Sequence, residues 1–232
     1  MNKEMITSSI KNQAIAPGLS LVCWVNENPS LVNTITNYRV SLDTNYKNKI
    51  IWYDIPHLHI TLYSLIRTIY NRISPLGKLD VQLNIEEFVS DLSRIQSFEI
   101  CLNKISIEKN GEIQITGTTR TQADLVNYNL IHETVRKHDP DYKYFTVGDE
   151  EKHENLHCNF GYFVTDDSDE IKEKMILLES EIIYSVNIIS IVHYMRRTLE
   201  NKYMNGYLHL NTSTDKTDKI MADKIYQMLG LV

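Results

Sequence analysis

Short apolar runs alternate with longer segments whose apolar residues recur at helical spacing, a pattern typical of mixed α/β proteins. Runs rich in β-branched and aromatic residues predict strands, and the longer periodic segments predict helices. The predicted strands are 18–25, 50–53, 57–63, 98–107, 112–116, 157–164, 187–193 and 207–210. The predicted helices are 29–42, 65–73, 85–95, 121–138, 169–179 and 216–229.

Turn and stop signals organise these elements. Asn110-Gly111 predicts a tight hairpin between two alternating segments, and Asp139-Pro140 ends the longest helical pattern. A strand–helix–strand pattern surrounds His59 and recurs around His157. We therefore expect one domain over residues 1–232, built from two pseudo-symmetric lobes.

Composition narrows the class of function. The net charge is −6 and the pI about 5.8, which disfavours duplex DNA as a partner because long nucleic acids are held by a basic field. The first residues show no secretory signal, and no apolar run is long enough to cross a membrane. Three widely spaced cysteines form no CxxC pair. We expect an intracellular, cytoplasmic monomer that does not bind membranes.

Two strands present histidines in alternation with apolar residues. In a strand, residues i and i+2 share a face, so one face of the first segment is polar and the other is apolar. The polar face is predicted to hold His57, His59, Thr61 and Tyr63. In the second segment His157, Asn159 and Gly161 share a face, and the bare backbone of Gly161 leaves room for another chain or a ligand.

These side chains suit phosphodiester chemistry. Cleavage needs a base for the attacking oxygen and an acid for the leaving oxygen, and histidine serves both roles near neutral pH. We therefore predict His59 and His157 as catalytic residues. Thr61 and Asn159 are predicted to donate hydrogen bonds to the phosphate oxygens. This chemistry requires neither a metal nor another cofactor.

The two segments also resemble a known family. His59-Ile60-Thr61-Leu62 resembles the first H-x-T/S-x motif of the 2H phosphoesterases, the LigT-like or 2′-5′ RNA ligase-like group. His157-Cys158-Asn159-Phe160 is similar to the second motif, with asparagine where threonine or serine is usual. The resemblance extends over about residues 16–210. It implies a bilobal α/β (α+β) fold, with two antiparallel sheets and flanking helices around a central groove.

The resemblance further implies action on a 2′,3′-cyclic, 2′-5′-linked or cyclic-oligonucleotide phosphodiester, with a nucleotide or short RNA as substrate. Two alternatives stay open. The asparagine at position 159 is also compatible with a nucleotide-binding or sequestering module that has lost catalysis. The second alternative is an α/β interaction protein in which the motifs are coincidental.

Other candidates are weaker. Tyr63, His57 and Tyr194 are hypotheses for base stacking or for lining the groove. His57 and His59 form a His-x-His pair, but we find no third ligand for a metal in the sequence pattern. Arg196-Arg197 is a candidate source of local positive charge for a phosphate.

Overall fold

A computed structural model describes residues 15–46, 49–67, 84–108, 111–141, 155–163, 174–196 and 202–210. At several strand ends only the backbone is described, namely at 15–19, 66–67, 174–176, 193–196, 202–207 and 209. The predicted helix over 216–229 lies outside these ranges.

The described residues form three α-helices and nine strands. The helices are α1 (Pro29–Asn45), α2 (Ile85–Ser93) and α3 (Gln122–His138). The strands are β1 (Ile15–Trp24), β2 (Ile50–Trp52), β3 (His59–Arg67), β4 (Phe98–Ile107), β5 (Glu112–Thr119), β6 (Leu156–Phe163), β7 (Lys174–Val186), β8 (Ile188–Arg196) and β9 (Lys202–His209).

The strands pair into two antiparallel sheets. One sheet has four strands in the order β3-β1-β8-β9, and the other has five in the order β2-β6-β5-β4-β7. Both predicted histidine segments are strands, one in each sheet. The fold is thus a mixed α+β arrangement of two sheets with flanking helices, as the sequence predicted.

Local chemistry explains why the helices begin where they do. The Asn28 side chain accepts a hydrogen bond from the Leu31 N–H, and Pro29 occupies the first helical turn of α1. Thr121 and Asp124 form a reciprocal capping box at the start of α3. These interactions satisfy backbone donors that a helix leaves unpaired at its first turn.

One continuous apolar core joins the two sheets and the three helices. It contains Ile60 of β3, Ile115 of β5 and Cys158 of β6, together with Phe88 of α2 and Ile131 of α3. The apolar residues that alternate with the polar face in the histidine strands therefore turn inward. This packing fixes which face of each strand remains for chemistry.

Two predicted helices are wrong in the parts that the structure describes. Leu65 belongs to β3, which runs on to Arg67 beside β1, and the rest of that predicted helix lies outside the described residues. The acidic helix over 169–179 is also wrong from residue 174 onward, because β7 occupies Lys174–Val186. Its glutamates favour a helix locally, but β4 pairs with residues 174–177 and 182–186 of this segment. Ile182, Tyr184 and Val186 are buried in alternation, as in a strand.

Candidate active site at the seam between the sheets

The two histidine strands meet where the sheets face one another. β3 is the edge strand of its sheet. In the other sheet β2 pairs only with the Gly161–Phe163 end of β6, which leaves the end with His157 and Asn159 uncovered by β2. β3 packs against β6 here, and the Cys158 side chain lies against the backbone of His59. The seam thus brings both motif strands together.

His59 is held on two sides. Its Nδ1 lies 3.0 Å from the carbonyl oxygen of His57, which ends a short 3-10 helix before β3. Its ring meets Trp24 edge to face, with 6.0 Å between the ring centroids. Trp24 is itself fixed by a 2.8 Å hydrogen bond from Nε1 to Ser190. The imidazole therefore has a set orientation in a partly buried position.

His157 repeats the first of these contacts. Its Nδ1 lies 3.3 Å from the carbonyl oxygen of Asn155, again two residues earlier, and the side chain is exposed. A carbonyl oxygen only accepts, so Nδ1 carries a proton in both histidines. In the neutral ring Nε2 then holds the lone pair, and in the charged ring it holds a proton. Each Nε2 is the atom that would exchange a proton with substrate.

Thr61 and Asn159 follow their histidines by two residues on the same face. Both are partly buried, and neither side chain hydrogen-bonds another group in the described part of the chain. Oδ1 of Asn159 is buried without a donor within that part. Buried polar atoms are normally paired, since leaving one unpaired costs free energy. Two polar groups are thus positioned beside the histidines, and neither has a partner in the part of the chain that the structure describes.

The cysteine inside the second motif is not a nucleophile. Burial raises the pKa of the Cys158 thiol to about 12. The thiol therefore stays protonated at neutral pH, and the thiolate is the reactive form. Acid–base chemistry by the histidines remains the function that this strand supports best.

A partly buried arginine, Arg39, stabilises the second motif. Phe160 is the extra residue of a β-bulge directly after Asn159. Its carbonyl oxygen accepts hydrogen bonds from the Tyr53 N–H and from the guanidinium of Arg39, each 3.2 Å long. Arg39 comes from α1 and lies over the Trp52 ring, 5.5 Å from its centroid. It therefore ties α1 to the strand that carries His157.

Two of the weaker candidates, Tyr63 and His57, occupy different positions from those predicted. Tyr63 is only 4% exposed and packs in the core against His132, so it does not line the groove. A register shift in the β1–β3 pairing places it opposite Leu21, a core residue. His57 lies in the 3-10 helix rather than in the strand, and its carbonyl supports His59. The side chain of Tyr194 lies outside the described residues.

The bulge also changes the position of Gly161. The strand no longer alternates there, and Gly161 pairs with Ile113 of the core face. The Trp52 ring covers it so closely that an added Cβ would lie 2.6 Å from a ring carbon. Of the two neighbours predicted for this bare backbone, another chain or a ligand, the structure shows another segment of the chain, which carries Trp52.

Sequence reasoning missed Arg39, Thr116 and Lys104. Thr116 lies directly opposite His157, and Lys104 lies opposite Thr116. The available signal was the alternation in β4, where Ile105 and Ile107 are buried and Lys104 and Ser106 face the other way. That signal defines a face, but only the pairing register shows which residues are neighbours. Arg196, the charge that the sequence suggested, has an undescribed side chain, and Arg197 lies outside the described residues.

One cluster has the residue types of a metal site. Ligand atoms of Glu87, Asp91 and His138 lie within 4.8 Å of one another where α2 meets α3. Lys137 already occupies this cluster, with Nζ 2.6 Å from Asp91 Oδ2, and His138 contacts the same oxygen. Partial burial alone would raise the pKa of Asp91, but these two partners lower it. The carboxylates are thus accounted for by ion pairs between helices.

Comparison with known proteins identifies the fold. No family model and no curated protein sequence matches the chain. TT0787 of Thermus thermophilus matches with a TM-score of 0.54 at 10% identity, over 85% of this chain and 100% of that one. A crystallised phosphoesterase gives 0.51 at 10%, over 84% and 98%. Escherichia coli LigT in complex with 3′-AMP gives 0.50 at 11%, over 85% and 99%.

These likenesses show that the chain shares the fold of TT0787 and of LigT. At this level of identity they establish the architecture and leave activity to be argued from the site. None of the helices in the described ranges has the length and apolar character that crossing a membrane requires.

Proposed function

We propose that the protein is a metal-independent phosphodiesterase that acts on a nucleotide or RNA phosphodiester by two-histidine acid–base catalysis. The observation that carries this proposal is the matching Nδ1 contact of His59 and His157. Each uses Nδ1 to contact the carbonyl two residues earlier, and each is followed by a polar side chain that has no partner among the described residues. The same contact in both sheets is expected if one histidine acts as the general base and the other as the general acid.

In the proposed mechanism one Nε2 removes a proton from the attacking water or ribose hydroxyl. The other Nε2 gives a proton to the leaving oxygen. Thr61 and Asn159 donate hydrogen bonds to the non-bridging oxygens, where negative charge grows in the transition state. The arrangement does not assign base and acid between the two histidines, because their Nδ1 contacts are alike.

The substrate class follows from fold and charge. LigT of Escherichia coli, which shares the fold, was crystallised with 3′-AMP. The chain carries a net charge of −6, which suits a short ligand gripped by local groups better than a long nucleic acid. We place the activity inside the cell, because Cys23, Cys101 and Cys158 are all unpaired and buried. We also propose that the protein acts as a monomer.

A hydrolysis screen in EDTA tests the proposal. Wild type and the His59→Ala/His157→Ala double variant are incubated with 2′,3′-cyclic nucleotides, 2′-5′ oligoadenylate and cyclic di- and trinucleotides. We expect wild type alone to cleave at least one class, since both proton transfers come from side chains of the chain itself. Cleavage that disappears in EDTA, or equal cleavage by the double variant, would contradict the mechanism.

The asparagine at position 159 supports a second candidate, a module that binds a nucleotide without cleaving it. Asparagine stands in the place of the usual hydroxyl, and its Oδ1 is buried without a donor in the described part of the protein. This module would bind a cyclic nucleotide tightly and release no product. We favour activity because an amide nitrogen still donates to a phosphate oxygen.

Two substitutions at this position separate the candidates. Asn159→Ala removes the donor and should lower the turnover number by about 100-fold. Asn159→Thr keeps a donor and should retain most of the activity. Turnover numbers of the three proteins, measured with the substrate found by the screen, check this prediction. An inactive wild type that gains cleavage through Asn159→Thr would instead establish the binding module.

A further inference from the structure

A row of side chains runs outward from the second motif across the five-stranded sheet. His157 lies opposite Thr116, Thr116 lies opposite Lys104, and Lys104 lies opposite Leu177. Directly opposed residues of neighbouring strands project from the same face of a sheet. Thr116 and Lys104 therefore share the face that carries the imidazole of His157.

Among the described residues, the Lys104 ammonium has no carboxylate partner and the Thr116 hydroxyl has no hydrogen-bond partner. Lys104 is partly buried and makes no ion pair with any carboxylate among the described residues. Thr116 is 3% exposed, and its Oγ1 is buried without a hydrogen-bond partner in the same part of the chain. An orphaned hydroxyl is costly in a folded protein and calls for an explanation. An uncompensated cation beside it, in an acidic chain, points to an anion.

The neighbouring row of side chains on the same face does not favour an anion. Next to Asn159 lie Gln114 and then Ser106, on the same face. Both side chains donate 2.7 Å hydrogen bonds to one carboxylate oxygen of Glu108. The donors of this row are thus already used by the Glu108 carboxylate, whose negative charge repels a phosphate. On β7, Glu181 is hydrogen-bonded to Cys101. An anion bound near His157 is therefore attracted toward Thr116 and Lys104 rather than toward the row with Glu108.

We propose that Lys104 and Thr116 form a second anion subsite, which binds the 5′-phosphate of the nucleotide whose 2′,3′ end is processed at His157. Two strand spacings separate Lys104 from His157, about 10 Å between backbones, a separation that a lysine side chain can bridge to a neighbouring phosphate. The inference rests on the proposed function and sharpens it. The preferred substrate is an RNA end or another nucleotide with two phosphates, rather than a mononucleoside cyclic phosphate.

Calorimetric binding of two nucleotides to the full chain tests the subsite without depending on turnover. Adenosine 3′-phosphate has only the first phosphate, and adenosine 3′,5′-bisphosphate has both. We expect wild type to bind the bisphosphate more tightly. Lys104→Ala should lower the affinity for the bisphosphate about tenfold, because it deletes a charge-assisted contact. The affinity for the monophosphate should stay unchanged. Lys104→Arg should keep the preference.

Lys137→Ala is the matched control. It also removes one positive charge, but from α3, where the lysine pairs with Asp91. The preference for the bisphosphate should survive in this variant. A preference that also survives Lys104→Ala, or equal affinities in wild type, would overturn the subsite alone. Failure of both nucleotides to bind would overturn the subsite and the proposed function together.

Discussion

Alanine at either His59 or His157 is expected to lower the turnover number by about 1,000-fold, because each substitution removes one of the two proton transfers. Neither imidazole can replace the other, since each is tied through Nδ1 to its own strand. Single-turnover and steady-state rates with the substrate found by the hydrolysis screen measure the effect. The loss should appear in kcat, with a smaller change in KM, because both groups act in the transition state.

His57→Ala is the control for these variants. It deletes an imidazole two residues from His59 but keeps the carbonyl oxygen that receives the Nδ1 proton. Turnover should stay close to that of wild type. Thermal melting of all three variants separates a lost catalytic group from a lost fold. Near-normal turnover after loss of either motif histidine would exclude the two-histidine mechanism.

Gly117→Ala is expected to lower the free energy of unfolding by about 3 kcal/mol, the upper range for overpacking a tight interior. A Cβ at this position in β5 would lie 1.9 Å from the Cys101 carbonyl oxygen and 2.6 Å from the Leu102 Cα. Both atoms belong to the backbone of β4, so no side-chain rotation relieves the clash. Urea denaturation, followed by the shift of the midpoint at constant slope, gives the difference.

Thr118→Ala provides the comparison for Gly117→Ala. Thr118 is the next residue of β5 and is exposed, so its removal should change stability by less than about 0.5 kcal/mol. The glycine variant should also weaken any activity, because the displaced strand carries Thr116 opposite His157. Equal stability of the two variants would show that β4 can retreat from β5 at no cost.

Elements with strong local signals were predictable from the sequence. The bounds of α3 follow from Thr121 at its start and Asp139-Pro140 at its end. The hairpin between β4 and β5 follows from alternation and from Gly111, whose φ of +92° suits glycine. Each of these signals lies within a few residues of the feature that it specifies, so one sequence suffices to read it.

Features that depend on distant strands were not predictable. Simple alternation placed Tyr63 beside His59, but the register shift against β1 turns it into the core. β7 has helix-compatible glutamates, and its strand structure comes from pairing with β4. Lys104 lies 53 residues from His157 along the chain, and only the pairing of three strands makes them neighbours. In each case the deciding contact is tertiary.

The two carbonyl oxygens that hold the histidines have a consequence for evolution. Residues 57 and 155 act through main-chain atoms, which every amino acid possesses. Mutation can therefore exchange the side chains at these positions while the imidazoles keep their orientation and their tautomer. The carbonyl oxygens that keep the proton on Nδ1 thus require no particular amino acid at positions 57 and 155. Proteins with this site can therefore diverge widely in sequence. Their common ancestry remains detectable from the backbone structure when sequence alignment no longer shows it.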